Sequence, residues 1–263
     1  MRLELIWGVT LGLLATWGCT TPVLAPIEWE ELDPQVVAHQ FQNPTGEVTP
    51  ETVVMLAQQF LQLADDLEAV GHAVSHLINA MDTSETKEGP LAVKRGGLSL
   101  DGTSAFLKVS CPGADLNVPD LSFGSGLIRV DSPSLADIKG GADQLTGDLL
   151  VTFSACLVET KELLGQSVAI YDKNNADITM RLAVEVVSLV DTATLDQLFR
   201  YGSGVLQVML VDEAGKSYVV STELNSDMQE IEVKGTNGVF SCGLNAEPLG
   251  CMDNDGIEFS FAL

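Results

Sequence analysis

Residues 50–82 carry one unbroken apolar seam, and no other stretch limits the fold as strongly. Val53, Leu56, Phe60, Leu63, Leu67, Val70, Val74, Leu77 and Met81 follow one another at alternating spacings of three and four. That is one face of an α-helix held for four heptads. Thr49 as N-cap, Pro50 at the first helical position and Glu51 near the positive end of the dipole mark its start. Ala57, Ala64, Gly71 and Ile78 lie beside the seam, and three of these four are small, so another element can approach the backbone closely. The seam needs a partner: either a second copy in a coiled coil or a sheet in the same chain. Everything after residue 90 is strand-like, which favours the sheet.

The strand signals run from 91 to 263. "LAVKRGGLSLDGTSAFLKVSC" reads as a hairpin turning at Asp101-Gly102, and "GLIRVDS" and "GDLLVTFSACLVE" as further strands. In "ITMRLAVEVVSLV", Met180, Leu182, Val184 and Val186 fall on one face and Thr179, Arg181, Ala183 and Glu185 on the other, which predicts a sheet with one wet side. "VLQVMLVDEAGKSYVVSTEL" predicts a hairpin around Glu213 to Lys216, and Asn237-Gly238 is a strong turn signal in "EIEVKGTNGVFSC". "IEFSFAL" ends the chain. A short helix is expected at 192–201, with Leu195, Leu198 and Phe199 inward and Gly202 just past its end. The expected fold class is α+β. A large curved antiparallel sheet of about ten strands, half-barrel or sandwich-like, packs against one long amphipathic helix. In outline this resembles bacterial lipoprotein carriers that cradle a helix in a half-open β-barrel. The likeness is of shape, with no shared motif, and implies no function.

The first residues carry an address. Arg2 precedes an apolar run from Leu5 to Ala15. Eleven residues span about 17 Å as a helix, too short for a bilayer core of about 30 Å, so the run reads as the core of an export signal. Gly18-Cys19 follows, and the stretch resembles the lipobox of bacterial lipoproteins. Thr16 and Trp17 depart from that pattern, which usually has Leu and a small residue there. The alternative cut after Ala25 would leave Pro26 at the new N-terminus. The resemblance implies a signal over 1–18 and acyl chains on Cys19; two or three chains anchor stably where one is marginal. Residues 19–49 are expected as a flexible tether, with Pro22, Pro26, Pro34 and Pro44 and no lysine or arginine. A short helix can start in it at Asp33-Pro34. The domain proper is expected over 50–263.

Without Cys19, four cysteines remain. In an exported chain they predict disulfides, Cys242 with Cys251 across the ten-residue "CGLNAEPLGC" and then Cys111 with Cys156 by elimination. Zinc is disfavoured, because no close Cys-x-x-Cys pair exists. The formal charge is −24, and the signal holds one charge of each sign, so the processed chain keeps it. Such a chain has no basic patch for nucleic acid and no attraction to an anionic membrane surface. All three tryptophans lie at or before residue 29. The folded part therefore lacks the aromatic platforms that sugar-binding modules usually present.

Candidate sites are weak. His72 and His76 sit one helical turn apart, but Ala73 stands where a metalloprotease needs glutamate, and both histidines are expected to face solvent. "SETK" at 84–87 and "GLSLD" at 97–101 match nucleophile motifs only in part. Asp172, Asn174 and Asp177 in one turn, and Asp253 and Asp255 in another, offer oxygen ligands of the kind calcium takes, although an EF-hand frame fails at the second. The expectation is a lipid-anchored, non-catalytic protein of the cell envelope without a cofactor (outer membrane or cell surface in a Gram-negative host). Its partner would be another protein. The alternatives are a carrier holding an apolar small molecule between helix and sheet, and a calcium-binding module.

Overall fold

The computed structural model describes residues 32–83, 94–98, 105–112, 126–132, 144–224, 230–243, 249–253, 256 and 258–261. Two helices, α1 (Pro34–Gln42) and α2 (Pro50–Thr83), precede fourteen strands among these residues. The strands are β1 (Lys94–Leu98), β2 (Ala105–Ser110), β3 (Leu127–Ser132), β4 (Gln144–Val158), β5 (Lys161–Asp172), β6 (Asp177–Val187), β7 (Thr192–Leu195), β8 (Leu198–Gly202), β9 (Val205–Val211), β10 (Ser217–Glu223), β11 (Glu230–Gly235), β12 (Gly238–Gly243), β13 (Leu249–Asp253) and β14 (Glu258–Phe261). They form one antiparallel sheet in chain order, with β7 beside β6 in line with β8. The class is α+β, as the sequence predicts, but the strands exceed the ten expected and a second helix joins the long one.

The seam finds its partner inside the chain. Leu56, Phe60, Leu67, Val70, Val74 and Leu77 are fully buried in one apolar cluster with residues from β2 to β13. Thr49 caps the helix as predicted: its Oγ1 accepts from the Thr52 amide at 3.3 Å, and Thr52 Oγ1 accepts from the Thr49 amide at 2.7 Å.

Three contacts show how the sheet meets α2. A Cβ added to Gly71 would lie 2.8 Å from a Leu224 methyl, just past β10. Lys161 Nζ, at the start of β5, donates to Asp66 Oδ1 at 2.6 Å. His76 Nε2 lies 2.9 Å from the Ser110 carbonyl oxygen at the end of β2. At about 100° per residue, Asp66 and His76 lie about 140° from Gly71 in opposite senses. Strands thus reach the helix from three sides, and the sheet bends around it. Ala69, Ala73 and Ala80, on the flank away from Leu67, are buried as well.

The other face of the sheet is covered by α1. Val168, Leu198, Met209 and Val219 stand in one row across β5, β8, β9 and β10, with Arg181 of β6 among them. Leu32, Val37 and Phe41 pack on that row and on Ile170. Asp33 caps α1, its Oδ1 accepting from the Gln35 amide at 2.8 Å, and Pro34 takes the first helical position. Lys234 Nζ donates to the Phe41 carbonyl at 3.4 Å, a cation at the negative end of the helix.

Residues 43–49 then cross from one face to the other. Thr45 and Gly46 donate to the Ser217 carbonyl, and the Thr236 amide donates to Gly46. The Asn237 side chain both donates to and accepts from the Val48 backbone at 2.8 Å. Residues 32–49, expected as the second part of a flexible tether, are therefore packed structure. Their prolines suggested a linker; Pro34 begins a helix and Pro44 is buried in the crossing.

Both predicted disulfides are present. Cys242 and Cys251 sit opposite each other on β12 and β13, with Cα atoms 4.1 Å apart. Cys111–Cys156 ties the end of β2 to β4, with Cα atoms 5.4 Å apart. Beside it, Ala155 takes a left-handed conformation (φ 50°) where the register with β5 shifts. A Cβ on Gly126 would overlap the Ala155 carbonyl oxygen, so only glycine fits against this bulge.

Two expectations fail here. Residues 192–201 are two strands, not a helix: Leu195 of β7 and Phe199 of β8 face α2 and Leu198 of β8 packs under α1, while Thr192 and Thr194 on the outer side of β7 stay exposed. The outer face of β6 is not wet either. Thr179, Ala183 and Glu185 are buried and only Arg181 is exposed.

Leu67→Ala is expected to cost about 2–5 kcal/mol in urea unfolding, whereas Leu61→Ala, 41% exposed on the same helix, should stay within about 0.5 kcal/mol. Equal losses would mean that α2 is not enclosed. Replacing Cys111 and Cys156 by Ser, a separation of 45 residues, should cost about 4 kcal/mol on the chain-entropy scale. The same change at Cys242 and Cys251, separated by 9, should cost about 2.7 kcal/mol, and the reverse order would contradict this frame.

Candidate functional site

The hairpin ends of β5–β6 and β8–β9 form a groove of about 390 Å³ lined by Asn175, Asp177, Arg200, Gly202, Ser203, Val205 and Gln207. Strand pairing builds it. Asp177 lies opposite Gly202, and Arg200 opposite Gln207. Ala176 and Ser203, at the two turns, have positive φ (50° and 53°), which bends both hairpins sharply. The groove's cation is already matched, because the Arg200 guanidinium donates to Asp177 Oδ2. What remains is amide and hydroxyl capacity from Asn175, Gln207 and Ser203. That suits hydrogen bonding to a polar group and supplies no nucleophile with a base beside it.

The acidic turn considered for calcium falls at this groove, with its oxygens committed elsewhere. Asp172 Oδ1 accepts from the Asn174 amide at 3.0 Å and Asp172 Oδ2 from the Asn175 side chain at 2.7 Å, an ordinary Asx turn. Asp177 is held by Arg200. The structure thus brings Asp172, Asn174 and Asp177 into one hairpin without converging them on a common point. Asp253 ends β13, while Asp255 and Cys19 lie outside the described residues, as do "SETK" and most of "GLSLD". Among the described residues no group of three or more His, Cys, Asp or Glu side chains is placed to hold a metal ion.

The histidines do not converge either. His39 is exposed on α1. His72 lies 3.5 Å from Glu68 one turn earlier. His76, expected in solvent, instead meets the Ser110 carbonyl and so helps to seat β2 on α2. The β2–β4 disulfide starts at the next residue, Cys111.

Sequence reasoning missed a pair of buried acids. Glu162 is 2% exposed and Glu185 7%. Glu162 pairs with Val187 and Glu185 with Leu164, so the two carboxylates are diagonal neighbours on the outer face of β5 and β6. Among the described residues, no hydrogen-bond partner reaches Glu162 Oε2 or Glu185 Oε1. Burial pushes the Glu162 carboxyl above the ordinary glutamate range, because the charged form loses water. Alternation correctly predicts which face Glu185 occupies. It carries no information on whether that face is covered.

No family model, no curated protein and no solved structure matches the chain.

Glu162 makes a pH-dependent contribution of defined sign. A carboxyl whose folded pKa is raised favours folding fully below its unfolded value of about 4.3 and loses that contribution as pH rises through the folded value. The stability of Glu162→Gln relative to the parent chain should therefore increase from pH 4 to pH 7.5 in paired urea titrations. A difference that stays flat, or shrinks, would show that Glu162 is hydrated in the folded protein.

Proposed function

We propose that the chain is a lipid-anchored, non-catalytic interaction protein of the cell envelope, held to its membrane through Cys19. In this reading the sheet is a half-barrel closed by the chain's own helix. One observation carries it: the concave side, where a carrier would keep space for an apolar ligand, is filled by α2. Leu56, Phe60, Leu67, Val70, Val74 and Leu77 have no exposure, and Gly71 brings the helix backbone against Leu224 and Leu206. A carrier needs an apolar cavity of several hundred Å³, and a packed interior removes the driving force for binding there. The groove at the hairpin ends is open and polar, so it does not suit an apolar ligand.

Two further features support the compartment. Both cysteine pairs lie at bonding distance, which suits an oxidising environment. The acidic surface, with a net charge of −24, keeps a tethered protein soluble and apart from anionic headgroups and nucleic acid. Interaction with another protein then falls to the outside of the sheet and its edges.

Native mass spectrometry of the chain made in its own host tests this directly. The expected species starts at Cys19, carries the mass of at least two acyl chains, lacks four hydrogens for two disulfides and retains no second lipid. Exchanging residues 1–19 for a leader cut by the ordinary signal peptidase, so that the processed chain starts at Thr20 with no lipidated cysteine, should move the protein from the membrane to the soluble fraction. Membrane retention by that variant would remove the anchor from the account, and a stoichiometric apolar ligand in the folded species would favour the carrier instead.

A further inference from the structure

The turn between β6 and β7 is built against the usual rule for hairpin tips. Its two central residues are Leu189 and Val190, where glycine, asparagine or aspartate normally stand. They are 63% and 94% exposed, the two most exposed large aliphatic residues among those described. Neither is needed to make the turn. The Ser188 amide donates to the Asp191 carbonyl at 2.8 Å. Ser188 Oγ accepts from the Val190 amide at 3.3 Å and the Asp191 amide at 3.0 Å, and Asp191 Oδ1 accepts from the Thr192 amide at 2.7 Å. The flanking serine and aspartate thus hold the loop, and the aliphatic pair is presented outward on a fixed backbone.

An isolated exposed aliphatic residue has no special meaning. Two adjacent ones at the tip of a hydrogen-bonded turn, in a chain with 37 acidic residues, are a different matter. We propose that Leu189 and Val190 form a wedge that enters the apolar layer of a zwitterionic bilayer, fixing the orientation of the protein on its membrane. This inference rests on the lipid-anchored reading above.

Three observations select a bilayer as the occupant. The area is too small for a protein interface, which needs about 1,000 Å² or more in total, yet two side chains are enough to add to an anchor already in place. The reach is sufficient. Thirteen Cα-to-Cα steps lead from Cys19 to Leu32 and span at most about 45 Å. The tip lies eight residues, about 26 Å, along β6 from Arg181, in the row under α1. The charge sets the lipid class: the tip carries Asp191 rather than a cation, and the net charge of −24 opposes anionic headgroups.

The test uses the full chain with acylated Cys19 in phosphatidylcholine vesicles that contain brominated acyl chains. Val190→Trp is the probe, and the parent chain, whose processed form has only Trp29, is the blank. The expected result is quenching of the added tryptophan beyond the blank. A second arm uses an anchor-free chain in vesicle flotation, made without residues 1–18 and with Cys19→Ala. There, changing Leu189 and Val190 to serine should weaken partition into phosphatidylcholine about tenfold, and phosphatidylglycerol vesicles should bind less of the parent. No quenching beyond the blank in the anchored Val190→Trp protein, or equal partition of the serine variant, would overturn the wedge while leaving the acyl mass at Cys19 untouched. Loss of the acyl mass with tip-dependent flotation intact would sink the anchor and keep the wedge.

Discussion

Everything in this fold follows from the need to enclose a 34-residue helix whose burial extends well beyond a single stripe. A flat sheet covers one side of a helix. Here Gly71, Asp66 and His76 are met from three directions, by the end of β10, the start of β5 and the end of β2. Only a sheet long enough to bend can do this, and consecutive antiparallel strands joined by hairpins are the simplest way to lengthen one. Close approach sets the composition of the helix. Ala69, Ala73 and Ala80 are buried on the flank away from Leu67, where longer side chains would hold the strands off.

Bending creates a second requirement, because the outer surface of the sheet is also rich in apolar residues. The row of Val168, Leu198, Met209 and Val219 would lie in water without α1. The chain meets this with its own N-terminal segment. Residues 43–49 connect the outer helix to the inner one over the ends of β10 to β12, held by Ser217, Thr236 and Asn237. Asn237 has two tasks: it lies in the turn between β11 and β12, and its amide pairs with Val48 as a strand neighbour would. The sheet is thus clamped between two helices joined by a short strap. The disulfide from Cys111 to Cys156 fastens the β2–β4 side to the same assembly, next to the His76 contact.

The local signals of this arrangement were legible in the sequence. The seam, the Thr49 and Asp33 caps, the Asn237-Gly238 turn and the Cys242–Cys251 pair each depend on residues close in the chain or on a fixed periodicity, and Cys111–Cys156 then followed by elimination. What failed depended on burial from both sides. Leu195, Leu198 and Phe199 have helical spacing only because the inward end of β7 is followed by β8, where Phe199 faces inward and Leu198 packs outward under α1. The same cause hid Glu185, whose outward position suggested water. Residues 32–49 misled in another way. Four prolines in 19–49 describe a linker by composition, yet Pro34 is a helix start, a meaning that appears only with the apolar row awaiting Val37 and Phe41.

The two faces also explain why so acidic a chain can fold. Like charges destabilise a compact state when they are forced together, and the cost falls steeply when they stay on the surface. The described acids largely do so, while the inner cluster is apolar, with Ser167, Gln197 and Thr222 as polar exceptions on the inner side. Asp177, Glu162 and Glu185 are the buried acids of the outer face: Asp177 is paired with Arg200, while among the described residues Glu162 Oε2 and Glu185 Oε1 have no partner. The surface charge has a further use in this architecture. An open sheet of many strands ends in β1 and β14, and an unpaired edge is a template for another chain. A net charge of −24 makes every such encounter between copies repulsive, which opposes edge-to-edge pairing of a long unclosed sheet while its inner helix is being enclosed.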